Sequence, residues 1–191
     1  MPSPVKNYIT VEEYFLLEEA SPEKHEYLEG KIIAVAGATK EHNQIVANLM
    51  REIGSFLKGK DCDIFPSDFR VATPSAENYF YPDATIVCGE ILLQPEVFDT
   101  LLNPVVIFEV MSEGTKANDR GYKFFSYQLI PSLKEYVLID STQYAVDMIR
   151  KQSDGSWTFE KFSSRDGSIM LQSIGFNLSF NDLYYKVFLS K

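Results

Sequence analysis

Residues 104–111 read Pro-Val-Val-Ile-Phe-Glu-Val-Met, a run that is apolar except for one carboxylate. No other stretch constrains the fold so tightly. A continuous apolar run opened by a proline predicts a buried central strand, covered on both faces. Side chains alternate along a strand, so Glu109 shares a face with Val105, Ile107 and Met111. An ionised carboxylate there is costly unless a cation or a hydrogen-bond donor meets it. Either Glu109 lies near the strand end and escapes to solvent or a basic neighbour, or the fold has a use for a buried acid.

A run of the same kind lies upstream. In Tyr81-Pro82-Asp83-Ala84-Thr85-Ile86-Val87-Cys88 the acid follows a proline, whose missing N–H marks a strand start or a bulge rather than a regular ladder. If the two strands pair, Asp83 and Glu109 bring oxygen ligands to one spot, as a hard cation such as Mg2+ requires. Lys123 follows on the next predicted helix.

Around this centre the chain alternates helical and strand patterns. Thr10-Val11-Glu12-Glu13 is a capping box that opens a helix through about Ala20, with Val11, Tyr14 and Leu17 on one face. Residues 25–28 and 31–35 flank Glu29-Gly30 and predict a hairpin. Ile45, Leu49, Ile53, Phe56 and Leu57 recur at helical spacing over residues 40–58. Residues 64–72 and 80–88 read as successive strands joined by a polar turn at 74–78, and residues 94–102 as a connection with helical character. The helix over 118–129 stops ahead of Pro131. Residues 135–139, 144–150 and 157–162 alternate as strands, broken by Asp154-Gly155 and Asp166-Gly167, and a last helical turn follows Asn181.

The 191 residues are expected to form a single domain, residues 1–191, and at 45% hydrophobic content it is a folded one. The amino end lacks the apolar core of a signal peptide, and no run is long enough to span a bilayer. A cytoplasmic location is the expectation, with Cys62 and Cys88 as reduced thiols.

The combination of motifs resembles a known family. Tyr-Pro-Asp ahead of an apolar strand, the Glu109 strand, the segment from Ser112 to Lys123, and Ile130-Pro131-Ser132-Leu133-Lys134-Glu135-Tyr136 are similar to short standalone putative restriction endonucleases of the PD-(D/E)XK nuclease superfamily. The resemblance covers nearly the whole chain. It implies an α/β, restriction-endonuclease-like fold: a mixed central β-sheet flanked by helices, with an N-terminal hairpin and additional C-terminal antiparallel strands.

It also implies roles for individual residues. Asp83 matches the metal-binding acid of the Pro-Asp motif and Glu109 the acid of (D/E)XK, with the backbone carbonyl of Val110 completing a site for Mg2+ (or Mn2+). Where the superfamily has its lysine, this chain has Met111, and Lys123 is the expected replacement. Glu26, ahead of Leu28 in the hairpin, matches a glutamate that completes the acidic site; the alternative is a solvated carboxylate, as Glu29 is expected to be. His42, in the first turn of the main helix, serves as ligand or base there, or merely caps and packs. Asp119 and Lys123 form an i, i+4 pair, either on a solvated face or with Asp119 steadying the lysine stem.

The implied function is metal-dependent hydrolysis of DNA phosphodiester bonds, with a homodimer supplying two sites for a duplex. The alternative is a nuclease-like module that has lost catalysis and binds or dimerises. Lys+Arg 18 against Asp+Glu 27 gives a net charge of −9, which argues against tight, indiscriminate DNA binding. It leaves room for a local basic potential from Lys116, Arg120 and Lys123.

Overall fold

The computed structural model describes residues 8–74, 77–95 and 97–189. Helix α1 (Val11–Ala20) opens on the expected box: the Thr10 hydroxyl accepts the Glu13 N–H, and the Glu13 carboxylate accepts the Thr10 N–H at 2.8 Å. Strands β1 (His25–Leu28) and β2 (Lys31–Ala34) form the hairpin. Its two turn residues, Glu29 and Gly30, have φ of 46° and 88°, and turns with positive φ at both positions match the twist of the strands they join. Helix α2 (Lys40–Leu57) buries Ile45, Leu49, Ile53 and Leu57.

The strands that follow are shorter than the sequence suggests. Residues 64–72 divide into β3 (Cys62–Pro66) and β4 (Arg70–Ala72), because the chain turns where the Phe69 N–H donates to the Pro66 carbonyl. The expected strand over 80–88 is interrupted after Phe80: β5 (Asn78–Phe80) ends there and β6 (Ala84–Cys88) begins beyond Pro82. The expected turn between them lies partly outside the described residues. In place of helical character, 94–102 contains strands: β7 (Leu93–Gln94) and β8 (Val97–Leu101). Edge pairing with each other and with β4 outweighs the weak helical pattern of this segment.

Strand β9 (Val106–Met111) is buried along its entire length. Helix α3 (Lys116–Asn118) then runs through a π-helical turn (Asp119–Lys123) into α4 (Phe124–Tyr127), which together form the 116–127 helix. Strands β10 (Glu135–Asp140), β11 (Val146–Lys151) and β12 (Trp157–Phe162) come next, then β13 (Ser168–Leu171), β14 (Phe176–Ser179) and a single-turn α5 (Phe180–Leu183).

Two six-stranded mixed sheets organise these elements. One has the order β2-β1-β5-β4-β8-β7 and the other β12-β11-β10-β9-β6-β3, with β13-β14 as a separate pair. In the second sheet only β9 and β10 run parallel, joined by the 116–127 helix as the crossover that parallel strands need. One face of that sheet packs Val106, Phe108 and Val110 against Ile45, Leu49 and Ile53 of α2. The opposite face packs Ile107, Met111, Tyr136 and Leu138 with Tyr127 of the 116–127 helix and with Leu28, Val71 and Phe80 of the first sheet. The sheet that carries Glu109 is therefore covered on both sides, as its composition requires.

Cys62 and Cys88 stand opposite each other in the β3–β6 register and are joined in a disulfide, with Cα atoms 3.9 Å apart. This corrects the expectation of reduced thiols. The pairing arises from strand register across 26 residues of sequence, which spacing alone does not reveal.

Candidate active site

The split of residues 80–88 builds the site. β5 belongs to the first sheet and β6 to the second, so Tyr81, Pro82 and Asp83 carry the chain between them. The β6–β9 ladder ends at Ala84 opposite Phe108, which sets Asp83 one register step further, beside Glu109. The Asp83 carboxylate takes over the pairing that the ladder abandons, and its Oδ2 accepts the Val110 N–H at 2.6 Å. Its other oxygen, Oδ1, lies 3.1 Å from His42 Nε2.

Glu109 is 4% exposed and faces the same side as Ile107 and Met111. Val105, which precedes the strand, packs instead with the opposite face. The buried acid does find partners: Lys123 Nζ at 3.1 Å and the Tyr127 hydroxyl at 3.1 Å. Both donate to Oε1, and among the described residues no donor reaches Oε2. That second oxygen is also absent from the side-chain atoms sealed from solvent without a partner.

Lys123 is the hub. Its ammonium lies 2.7 Å from Glu26 Oε1, 3.1 Å from Glu109 Oε1 and 3.7 Å from Asp119 Oδ1, with the residue 7% exposed. Glu26 comes from β1 of the first sheet, Glu109 from β9 of the second and Asp119 from the π turn. Glu26 Oε1 also accepts the Tyr81 N–H at 3.3 Å, which ties the hairpin to the chain segment carrying Asp83. Of the two alternatives for Asp119 and Lys123, the solvated face is excluded and the steadying contact is the one that fits: both side chains are buried, Asp119 being 3% exposed. The π turn widens the helix where these two side chains leave it, a distortion common at functional positions.

The electrostatics follow from burial. Desolvation drives the Glu109 carboxyl well above its ordinary range; Lys123 opposes this, while Asp119, Asp83 and Glu26 add to it. Desolvation also raises Asp119 against the pull of Lys123. For Lys123 itself burial works against the charge, but Glu109, Glu26 and Asp119 outweigh it and hold the ammonium above the usual lysine range. One ammonium shared among three acids offsets only part of the cost to each.

The structure brings Glu26, Asp83, Glu109 and Lys123 together, with Val110 attached through its amide. Glu29 stays on the exposed hairpin turn, outside the cluster. Tyr127 is a member the sequence reading missed. The signal was its position four residues after Lys123, which places both on one helix face. Among the described residues no three or more His, Cys, Asp and Glu side chains are set as a metal cluster. The available donor set is smaller, two adjacent carboxylates. Mg2+ is commonly held by one or two carboxylates together with waters and phosphate oxygens, so this set fits it.

Similarity to known proteins agrees with this architecture. A solved structure described as a putative nuclease belonging to DUF820 from Anabaena variabilis superposes with a TM-score of 0.75 at 22% identity, covering 94% of this chain and 99% of that one. Two uncharacterized proteins of Synechocystis sp. are similar to the chain, one 35% identical over 92% of this chain and 91% of its own length, the other 34% identical over 84% of this chain and 91% of its own length. The Uma2 family model, described as putative restriction endonuclease, matches residues 11–181. The chain therefore belongs to the Uma2 family of putative restriction endonucleases.

Proposed function

We propose that this protein is a metal-dependent endonuclease that hydrolyses DNA phosphodiester bonds. The observation that carries the reading is a charge imbalance. Four carboxylates, Glu26, Asp83, Glu109 and Asp119, act on one another in a mostly buried cluster served by one ammonium, Lys123. Purely structural clusters of this kind are costly, and the outstanding negative charge calls for a cation.

Asp83 and Glu109 would hold Mg2+ or Mn2+, Glu109 through its open Oε2, with the Val110 carbonyl as a further oxygen donor. Such an ion supplies charge neutralisation at the phosphate and a lowered pKa for bound water. The chain's own residues do the rest. Glu26 and Asp119 fix the Lys123 ammonium beside Glu109, in place to donate to a phosphate oxygen that gains charge in the transition state. Tyr127 orients Glu109 by donating to the same oxygen as Lys123. A homodimer would place a second site on the complementary strand of a duplex.

The test is nicking of supercoiled plasmid by purified protein with Mg2+ or Mn2+, set against Asp83→Ala and Glu109→Ala. Wild type nicks and both variants do not. Equal residual nicking by all three marks contamination and leaves the non-catalytic binding module as the function.

A further inference from the structure

His42 occupies the first inward position of α2. The Thr39 hydroxyl accepts the His42 backbone N–H at 3.2 Å, and the Thr39 carbonyl accepts from the Asn43 side chain at 3.0 Å, which fixes the first turn. Below it, Ile45, Leu49 and Ile53 are fully buried against the second sheet and set the rotation of the helix. Positions 42, 45, 49 and 53 lie on one stripe, so His42 continues the buried seam by one turn. An apolar side chain is the ordinary occupant of such a place. The imidazole instead reaches to Asp83 just ahead of β6, Nε2 to Oδ1 at 3.1 Å, with the two side chains 15% and 16% exposed.

A histidine at this spot can serve either as a metal ligand or as an orienter of the acid. A ligand bound through Nε2 carries its proton on Nδ1 and passes it to a carboxylate, carbonyl or water. Here Nδ1 is sealed from solvent and meets no partner among the described residues. A buried N–H without an acceptor is tolerated less well than a buried lone pair. The proton therefore belongs on Nε2, where the Asp83 oxygen accepts it.

We infer that His42 is a positioning residue of the metal site: it donates Nε2–H to Asp83 Oδ1 while the Val110 amide donates to Oδ2. With both oxygens held from the α2 side and from the neighbouring strand, the carboxylate cannot rotate, and its remaining lone pairs are fixed beside Glu109. The inference rests on the reading of Asp83 and Glu109 as the metal-holding pair.

The test uses the full chain with Mn2+ alone. Binding is followed by calorimetry, and the nitrogen environment of bound Mn2+ by electron spin-echo envelope modulation. His42→Ala weakens Mn2+ binding about 10–100-fold, the usual cost of removing an outer-shell partner. His42→Gln places an amide N–H where Nε2–H was and stays within about 3-fold of wild type, since the hydrogen bond rather than the ring matters. Mn2+ in the wild type shows no directly coordinated nitrogen. A nitrogen coupling that disappears in His42→Ala makes the imidazole a ligand and overturns the assignment, as does wild-type affinity in a folded His42→Ala. Should that variant fail to fold, the wild-type spectrum and the His42→Gln affinity decide the same question. Absence of Mn2+ binding to the wild type overturns the metal-site reading and this inference with it; binding that is indifferent to His42 overturns this inference alone.

Discussion

The Lys123 ammonium stands 2.7 Å from Glu26 on one sheet and 3.1 Å from Glu109 on the other, so a single side chain joins the two sheets electrostatically. Removing one partner of a buried ion pair is far more damaging than the pair is stabilising, because the remaining charges stay buried. Lys123→Ala is therefore expected to destabilise the metal-free protein by about 3–5 kcal/mol. Lys123→Met, which keeps the stem, separates loss of charge from loss of packing. Because the acids left behind have no cation, Mn2+ should raise the melting temperature of the folded variant more than that of wild type. An unchanged melting temperature without metal would show that Lys123 is not the hub.

Glu109→Gln acts in the opposite sense. Its carboxyl is driven well above the ordinary range by burial, so the unfolded chain gives up this proton before the folded one does. Stability from this group is present below the unfolded value of about 4.3 and declines as pH rises toward the folded value. The glutamine variant escapes that decline. Metal-free Glu109→Gln should match or exceed wild type at neutral pH, with the gap shrinking on acidification, and should lack the stabilisation by Mn2+ expected of wild type. A marked loss of metal-free stability would make Glu109 a structural ion-pair partner.

Much of this was legible in the sequence, and what was missed has a physical pattern. The Glu109 strand, the hairpin and α2 were readable because each signal is local: an apolar run, a turn dipeptide, a helical period. Asp83 and Glu109 were readable as a pair because each interrupts an apolar strand. What stayed hidden depends on partners distant in the chain. Residues 64–72 and 80–88 each look like one strand, but the first divides between the two sheets and the second leaves one sheet at Phe80 and enters the other at Ala84. The Asp119–Lys123 pair looks like a surface i, i+4 contact, and only the first sheet folding over it, with Glu26, makes it buried. Cys62 and Cys88 meet through register alone.

Alkaline pH should unfold the protein steeply. Burial, with the Tyr8 hydroxyl adding, pushes Tyr27 up to about 12; burial, with the Glu29 carboxylate adding, pushes Tyr122 up to about 12. Burial also raises Tyr14, Tyr81, Tyr127, Tyr136 and Tyr184. In the unfolded chain all of them ionise near pH 10. The stability they contribute is whole below that value and is lost as pH rises through the folded values. Melting temperature should fall sharply between about pH 10 and 11.5, and the phenolate absorbance of these residues should appear together with loss of helical signal. Ionisation that runs ahead of unfolding would contradict their burial.

The Cys62–Cys88 bond closes a loop with a sequence separation of 26 between an edge strand and the strand that begins just after Asp83. By loop-closure entropy it is worth about 3.5 kcal/mol. Reduction should lower the melting temperature accordingly, and the double variant Cys62→Ala, Cys88→Ala should behave like the reduced wild type. Thiol titration of the unreduced, denatured protein should find no free thiol; two free thiols there would show the bond does not form.

The last prediction concerns where the positive charge must stand. Met111, where the resemblance to PD-(D/E)XK nucleases would place the lysine, is 1% exposed and faces the same side as Glu109, two residues before it. In this chain the ammonium arrives from the 116–127 helix instead, and Lys123 Nζ lies 3.1 Å from Glu109 Oε1. If only the position of the charge matters, Met111→Lys should restore part of the nicking lost in Lys123→Ala. Rescue should be partial. Met111 packs among Ile107, Leu138 and Tyr136, and a lysine there leaves an apolar contact while its ammonium meets a desolvation cost that depresses its pKa. Activity is read only on double variants that melt cooperatively. A folded double variant with no more activity than Lys123→Ala would show that geometry from the helix, with Glu26 and Asp119 holding the stem, is itself required. Lys123→Ala cutting as fast as wild type would instead remove Lys123 from the chemistry and leave it as the electrostatic tie between the sheets.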